Sequence, residues 1–322
     1  MRKGSISIVS KVAAGTTLVA ILAALLLPDI WAGNFLLLFA VALILAGIPH
    51  GAADHLIFRL LARQQSLKWK ERWFYAGYLG IAVLYALLWW TLPWAAFIAF
   101  LLISAFHFGE SNWSRTGLTK PVVKSVSELL WGAAIIGVPV LLYSETSFLI
   151  IEEITGSQIR IPAETVDFIL GFLLLSNAIC LTVLRSLRLL DNAALLREAA
   201  VFSLLMLLFW TTPLLVGFSV YFVFWHSLGT VRDQVEVLRR CDPSFSLSKY
   251  LWQLCPFTAL SLAGLAVMYW FMGDLLNRGA NLGVLFLFVS IITVPHAILM
   301  NQFYNVEKMT FAGVETVKTE IV

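Results

Sequence analysis

NFLLLFAVALILAGIPHGAADH, residues 34–55, is an apolar run that closes on two histidines and an aspartate. A charge-free stretch of roughly 17–25 residues is what a helix needs to cross a bilayer. Its last residues, His50, Asp54 and His55, then stand where hydrocarbon meets water. The same apolar pattern recurs through all 322 residues, of which 60% are hydrophobic and only 13% charged. Soluble domains carry about 25% charge, and a lipid-spanning β-barrel would show short alternating segments instead. The expected fold is therefore all-α: a polytopic membrane helical bundle of about ten transmembrane helices, with residues 1–322 forming one integral membrane domain.

The spans are placed at about 12–28, 34–50, 73–91, 94–110, 126–143, 165–184, 199–212, 214–229, 250–272 and 281–300. The seventh and eighth are separated only by Thr211-Thr212-Pro213, and proline breaks or kinks a helix because it lacks an N–H and crowds the preceding turn. Charge placement argues for keeping them apart. With the N-terminus in the cytoplasm, 20 of the 22 Lys and Arg fall on the cytoplasmic side, all but Arg160 and Arg278, as the positive-inside bias requires. The segment 144–164 is then an outer loop, acidic through Glu145, Glu152, Glu153 and Glu164. The first span is read as retained rather than as a cleaved leader, because its apolar run is long and lacks a small-x-small cleavage site. The cysteines, Cys180, Cys241 and Cys255, are odd in number and form no CxxC pair, so reduced thiols are expected. No phosphate loop, zinc finger or basic nucleic-acid-binding stretch is present.

The chain has five histidines: His50, His55, His107, His226 and His296. In this topology each lies at or near the cytoplasmic end of an outside-to-inside helix, in spans two, four, eight and ten. A lone intramembrane histidine often only bonds a neighbouring helix, but an unpartnered polar group in an apolar medium costs roughly 2–7 kcal/mol. Five at one depth are best satisfied together, and imidazole is the commonest ligand for zinc, copper and iron. His50 and Asp54 are four apart and would share a helical face. Asp54 is expected as a ligand or, better, as the acceptor that orients an imidazole. Glu110, three residues after His107, is read either in that orienting role or as a solvated acid at a helix end. Glu128 is read as interfacial. Phe106, Phe108, Phe224 and Trp225, beside the histidines in sequence, are candidates to line a site for a long apolar substrate entering from the lipid.

HExxH is absent, which argues against a zinc protease. Ser219 and Ser227 sit in no nucleophile elbow. A mononuclear site of neutral imidazoles fits the count and needs no catalytic residue beyond the metal ligands.

GIPHGAADH (47–55), FHFGES (106–111), WHS (225–227) and VPH (294–296) resemble, in order, the signature blocks of the Brp/Blh family of bacterial and archaeal β-carotene 15,15′-dioxygenases. The resemblance implies non-haem Fe(II) held by histidines, with dioxygen cleaving the central double bond of β-carotene to two retinals that serve a rhodopsin. It implies His50, His107 and His226 as ligands. Many members carry a further histidine four residues after the WHS histidine, where this chain has Thr230; either His296 or His55 completes the shell, or the chain is a divergent member with an altered metal, substrate or activity. Two alternatives stand beside this reading: another metal-dependent membrane oxygenase acting on a different apolar lipid, and a histidine-lined metal or proton transporter. Transporters tend to place sites at the bilayer midplane on broken helices, often in inverted repeats, and the chain shows no repeat.

Overall fold

The computed structural model describes residues 7–27, 29, 35–64, 71–114, 116, 118, 120–272 and 281–319. Arg2, Lys3, Lys68, Lys70, Arg115 and Arg278 lie outside the described residues, as do the side chains of Lys308 and Lys318.

Every regular element described is helical. In chain order these are α1 (Ile8–Leu26), α2 (Phe35–Ala42), a π-helical stretch (Leu43–Gly47), α3 (Ile48–Gly51), α4 (Asp54–Gln64), α5 (Glu71–Thr91), α6 (Pro93–Trp113) and α7 (Pro121–Leu142). There follow α8 (Ser144–Thr155), α9 (Ala163–Ser186), α10 (Asn192–Thr211), α11 (Leu214–Val220), a second π-helical stretch (Tyr221–Ser227), α12 (Leu228–Cys241), α13 (Leu247–Met272) and α14 (Asn281–Thr319). Ten stretches of 19 to 28 residues are long and apolar enough to cross a membrane, and they coincide with the ten spans expected from the sequence. The chain is a multi-pass membrane protein.

Local chemistry sets the boundaries. Pro93 and Pro121 stand at the starts of α6 and α7, where a missing N–H costs nothing. The Asp191 side chain caps α10 by accepting the Ala194 N–H at 2.7 Å. Pro213 does separate the seventh and eighth spans, and Tyr143 O–H donates to the Thr212 carbonyl at 2.7 Å, which pins the break to the end of α7. The expected acidic outer loop is largely helical instead: α8 carries Glu145, Glu152 and Glu153 and ends at Gly156, whose φ of +70° favours glycine. The second span also continues past its expected end, through α3 and α4 to Arg63.

Large apolar side chains such as Leu45, Trp90, Leu149 and Trp252 face outward, as lipid contact demands. Buried polar side chains gather inside, among them all five histidines, Asp54, Glu110, Glu128, Asp233 and Gln234.

Among the described residues, α6 and α7 pack backbone to backbone. A Cβ added at Gly109 would fall 1.7 Å from the Glu128 carbonyl oxygen, and one added at Gly132 would fall 1.6 Å from that of Ala105. Bare glycine on each helix thus lets two backbones touch, the small-residue packing typical of membrane helices, and it fixes the height of His107 against α7.

Candidate metal centre

Four imidazoles from four separate spans form a closed ring. His50 comes from α3, His107 from α6, His226 from the second π-helical stretch and His296 from α14. The ring centroids of His50 lie 5.3 Å from His226 and 5.0 Å from His296, and those of His107 lie 4.9 Å from His226 and 5.0 Å from His296. Each imidazole meets both neighbours edge to face, at interplanar angles of 78° to 89°. His50, His107 and His296 each bring a ring nitrogen to within 4.8 Å of the others'. All four side chains are buried.

Two irregular segments build this ring. Pro49 has no N–H to offer the carbonyl four residues back, and the preceding turn is widened into the π-helical stretch Leu43–Gly47, with Ile48 N–H reaching the Leu43 carbonyl. The second π-helical stretch contains His226 itself. Such insertions often mark functional sites, because they re-aim a side chain without ending the helix. The two stretches touch: a Cβ on Gly47 would fall 2.6 Å from the Phe222 ring. Phe222 stacks on His226 at 5.6 Å and 17° and meets His50 edge-on at 5.8 Å. Phe218 in turn stacks on Phe222 at 5.9 Å and 12°. Phe218, Phe222 and His226 therefore make one column of parallel rings, and their four-residue spacing is the signal in the sequence that would have found it.

The hydrogen bonds settle two tautomers. His50 Nδ1–H donates to the Ala46 carbonyl at 3.2 Å, and His296 Nδ1–H donates to Asp54 Oδ1 at 2.7 Å. Carbonyl and carboxylate oxygens only accept, so in both rings Nδ1 carries the proton and Nε2 holds the free lone pair. His296 Nε2, both nitrogens of His107 and Nδ1 of His226 are buried with no hydrogen-bond partner. Orphaned imidazole nitrogens converging in an apolar interior are costly unless something accepts their lone pairs. A divalent cation would accept them, and His50, His107 and His296, whose ring nitrogens lie within 4.8 Å of one another, fit one, with His226 beside them in the ring.

His55 is not part of this ring. Its Nδ1–H donates to the Ala52 carbonyl at 2.9 Å, and its ring stacks on Phe257 at 4.2 Å and 25°. The helix is interrupted at Ala52–Ala53 and restarts at Asp54, and His55 turns toward α13. Asp54 is bonded to His296, whose ring lies 5.0 Å from that of His50, and to Tyr78, whose O–H donates to Oδ2 at 2.8 Å.

The remaining expected residues divide. Phe108 is buried, 4.7 Å from the His226 ring and 6.1 Å from that of His107. Phe106 and Phe224 are half-buried. Trp225 turns to the first helix, its Nε1–H donating to Thr17 Oγ1 at 2.9 Å; it fastens α1 to the bundle. Glu110 is fully enclosed rather than solvated, and accepts Asn301 Nδ2–H at 2.8 Å. Glu128, expected at the interface, is fully enclosed too and lies 3.3 Å from Lys124 Nζ. Lys124 also donates to Asn305 Oδ1 at 3.0 Å, and Asn305 Nδ2–H to Asn301 Oδ1 at 3.2 Å. This strap ties α6 and α7 to α14 just beyond His296. Asn301 and Tyr78 gave no signal in the sequence, since each meets its partner only across helices.

Fold and site together define a polytopic helical membrane protein built around a buried ring of four imidazoles. The beta-carotene 15,15′-dioxygenase family matches residues 41–304, and the chain belongs to that family. Among curated relatives, it is 27% identical over 271 residues to a beta-carotene 15,15′-dioxygenase of an uncultured marine bacterium, 66A03, covering 80% of this chain and 90% of that one. It is 24% identical over 287 residues to a probable beta-carotene 15,15′-dioxygenase of Halobacterium salinarum, covering 81% and 82%. No solved structure matches the chain.

Proposed function

We propose that this protein is an iron(II)-dependent dioxygenase that uses O2 to cleave β-carotene at its central double bond, giving two retinals. The relatives' names supply the substrate and the bond. The observation that carries the metal is the closed imidazole ring with its orphaned nitrogens.

In this reading His50, His107, His226 and His296 hold the ion. His296 supplies the fourth imidazole, so Thr230 need not be a ligand; its hydroxyl is fully buried and makes no hydrogen bond among the described residues. Bound Fe(II) supplies the redox activation of O2 that attack on an electron-rich double bond requires. The protein's own work is positioning and exclusion. Asp54 orients His296, and Glu110, bonded to Asn301, holds α6 against α14. Phe108 and Phe222 border the ring with apolar surface on which a polyene can lie, and Phe106 and Phe224 extend that surface. Their packing keeps bulk water from the reacting carbons, and no side chain is required to move a proton.

The substrate enters from membrane lipid. By the distribution of Lys and Arg, the N-terminus and the metal centre lie on the cytoplasmic side of the cell's cytoplasmic membrane. The products serve a retinal-binding rhodopsin. The same ring could hold a metal in an oxygenase acting on another apolar lipid, but the relatives' names favour β-carotene.

Expression in β-carotene-producing cells tests the reaction. The native chain is expected to bleach the cells and yield retinal, whereas His107→Ala, at equal membrane abundance, leaves the carotene intact. Unchanged β-carotene with the native chain overturns the assigned reaction.

A further inference from the structure

We propose that Tyr78 is a positioning residue of the metal centre: acting through Asp54, it fixes His296 in the tautomer that presents Nε2 to the ring and makes it the best-held of the four imidazoles. The inference rests on the metal reading above.

The geometry separates His296 from its neighbours. His50 is oriented by a neutral carbonyl at 3.2 Å, and Nδ1 of His107 and of His226 has no hydrogen-bond partner. Only His296 is bonded to a carboxylate, at 2.7 Å. A charged acceptor makes the stronger hydrogen bond and leaves the opposite nitrogen more electron-rich.

Asp54 is itself held from both sides. Oδ1 takes the His296 N–H and Oδ2 takes the Tyr78 O–H at 2.8 Å, while the residue is only 4% exposed. Among the described residues no Lys or Arg pairs with it; its ring partner is the His296 imidazole. A buried carboxylate is expensive without an opposite charge. A cation on His296 Nε2 places that charge on the far side of the same ring. Tyr78 satisfies the second oxygen and stops the carboxylate from rotating away. It reaches Asp54 from α5, which contributes no imidazole to the ring.

A merely structural role, tying α5 to α4, would move stability but not metal affinity. The test therefore uses purified full-length chain in detergent, titrated anaerobically with Co(II) and read by its visible absorption, with thermal unfolding measured alongside. Tyr78→Phe is expected to weaken Co(II) binding about 10-fold and shift the absorption bands, and Asp54→Asn to weaken it about 10–100-fold. Because Tyr78 acts through Asp54, the double variant should bind within about 2-fold of Asp54→Asn alone. Unchanged Co(II) affinity in Tyr78→Phe with a lowered melting temperature overturns the proposal, as do independent, multiplying losses in the double variant. Failure of the native chain to take up Co(II) overturns the metal reading itself and this inference with it.

Discussion

Protein carrying His296→Ala is expected to retain no stoichiometric metal, while His55→Ala retains it as the native chain does. The two histidines are hard to tell apart in the sequence, since both lie at the end of an apolar span beside a member of the signature blocks. In the folded chain His296 has two ring neighbours at 5.0 Å and an orphaned Nε2. His55 has already spent its Nδ1–H on Ala52 and its face on Phe257. Removing His296 deletes a candidate ligand and leaves Asp54 buried without the imidazole N–H it accepts. The loss in affinity should exceed the roughly 10–100-fold that an outer partner costs. Anaerobic Fe(II) loading followed by dialysis and elemental analysis measures it. Metal retained by His296→Ala but lost from His55→Ala would place the centre elsewhere.

Gly132→Ala should be strongly destabilising, the tightest methyl addition among the described glycines, with Gly109→Ala beside it. The new Cβ would sit 1.6 Å from the Ala105 carbonyl oxygen. A contact of that kind relaxes only when the atoms are about 3.2 Å or more apart. The obstacle is backbone on a packed helix, not a side-chain tip that can swing aside, so α6 and α7 must separate by about 1.5 Å. Overpacking of this kind costs roughly 1–3 kcal/mol and occasionally more. Separation also displaces His107, so any protein that still folds should bind metal poorly. Gly77→Ala and Gly171→Ala are the controls: a Cβ at either meets nothing within 4 Å, and alanine favours a helix over glycine by about 1 kcal/mol. Thermal unfolding in detergent should show Gly132→Ala melting well below the native protein and the controls at or above it. Equal melting of all four variants would show that α6 and α7 are not in backbone contact.

Much of this architecture follows from local chemistry. Ten apolar runs of bilayer length require ten helices, because a backbone in hydrocarbon must satisfy its own hydrogen bonds. Proline and threonine at 211–213 divide the seventh span from the eighth wherever those helices pack. The motif blocks identify the family, and counting residues puts His50, His107, His226 and His296 on four separate spans, although His50 and His226 lie well inside helices that run on to Arg63 and Cys241.

What the sequence could not decide is direction. Helical spacing placed Asp54 with His50 but could not name its partner, which is His296 on α14. His55, just after the break at Ala52–Ala53, packs on Phe257 outside the ring. Glu128 reads as an interfacial acid and Glu110 as either an orienting residue or a solvated one; only the packing of α14 against α6 supplies Asn301 to Glu110, whereas Glu128 takes Lys124 from one turn earlier on its own helix. Composition and period fix which segments enter the membrane, since that depends on each residue's own solvation. Which side chains meet depends on helix rotation and helix contact, and these are set by glycines, prolines and widened turns acting between segments far apart in the chain.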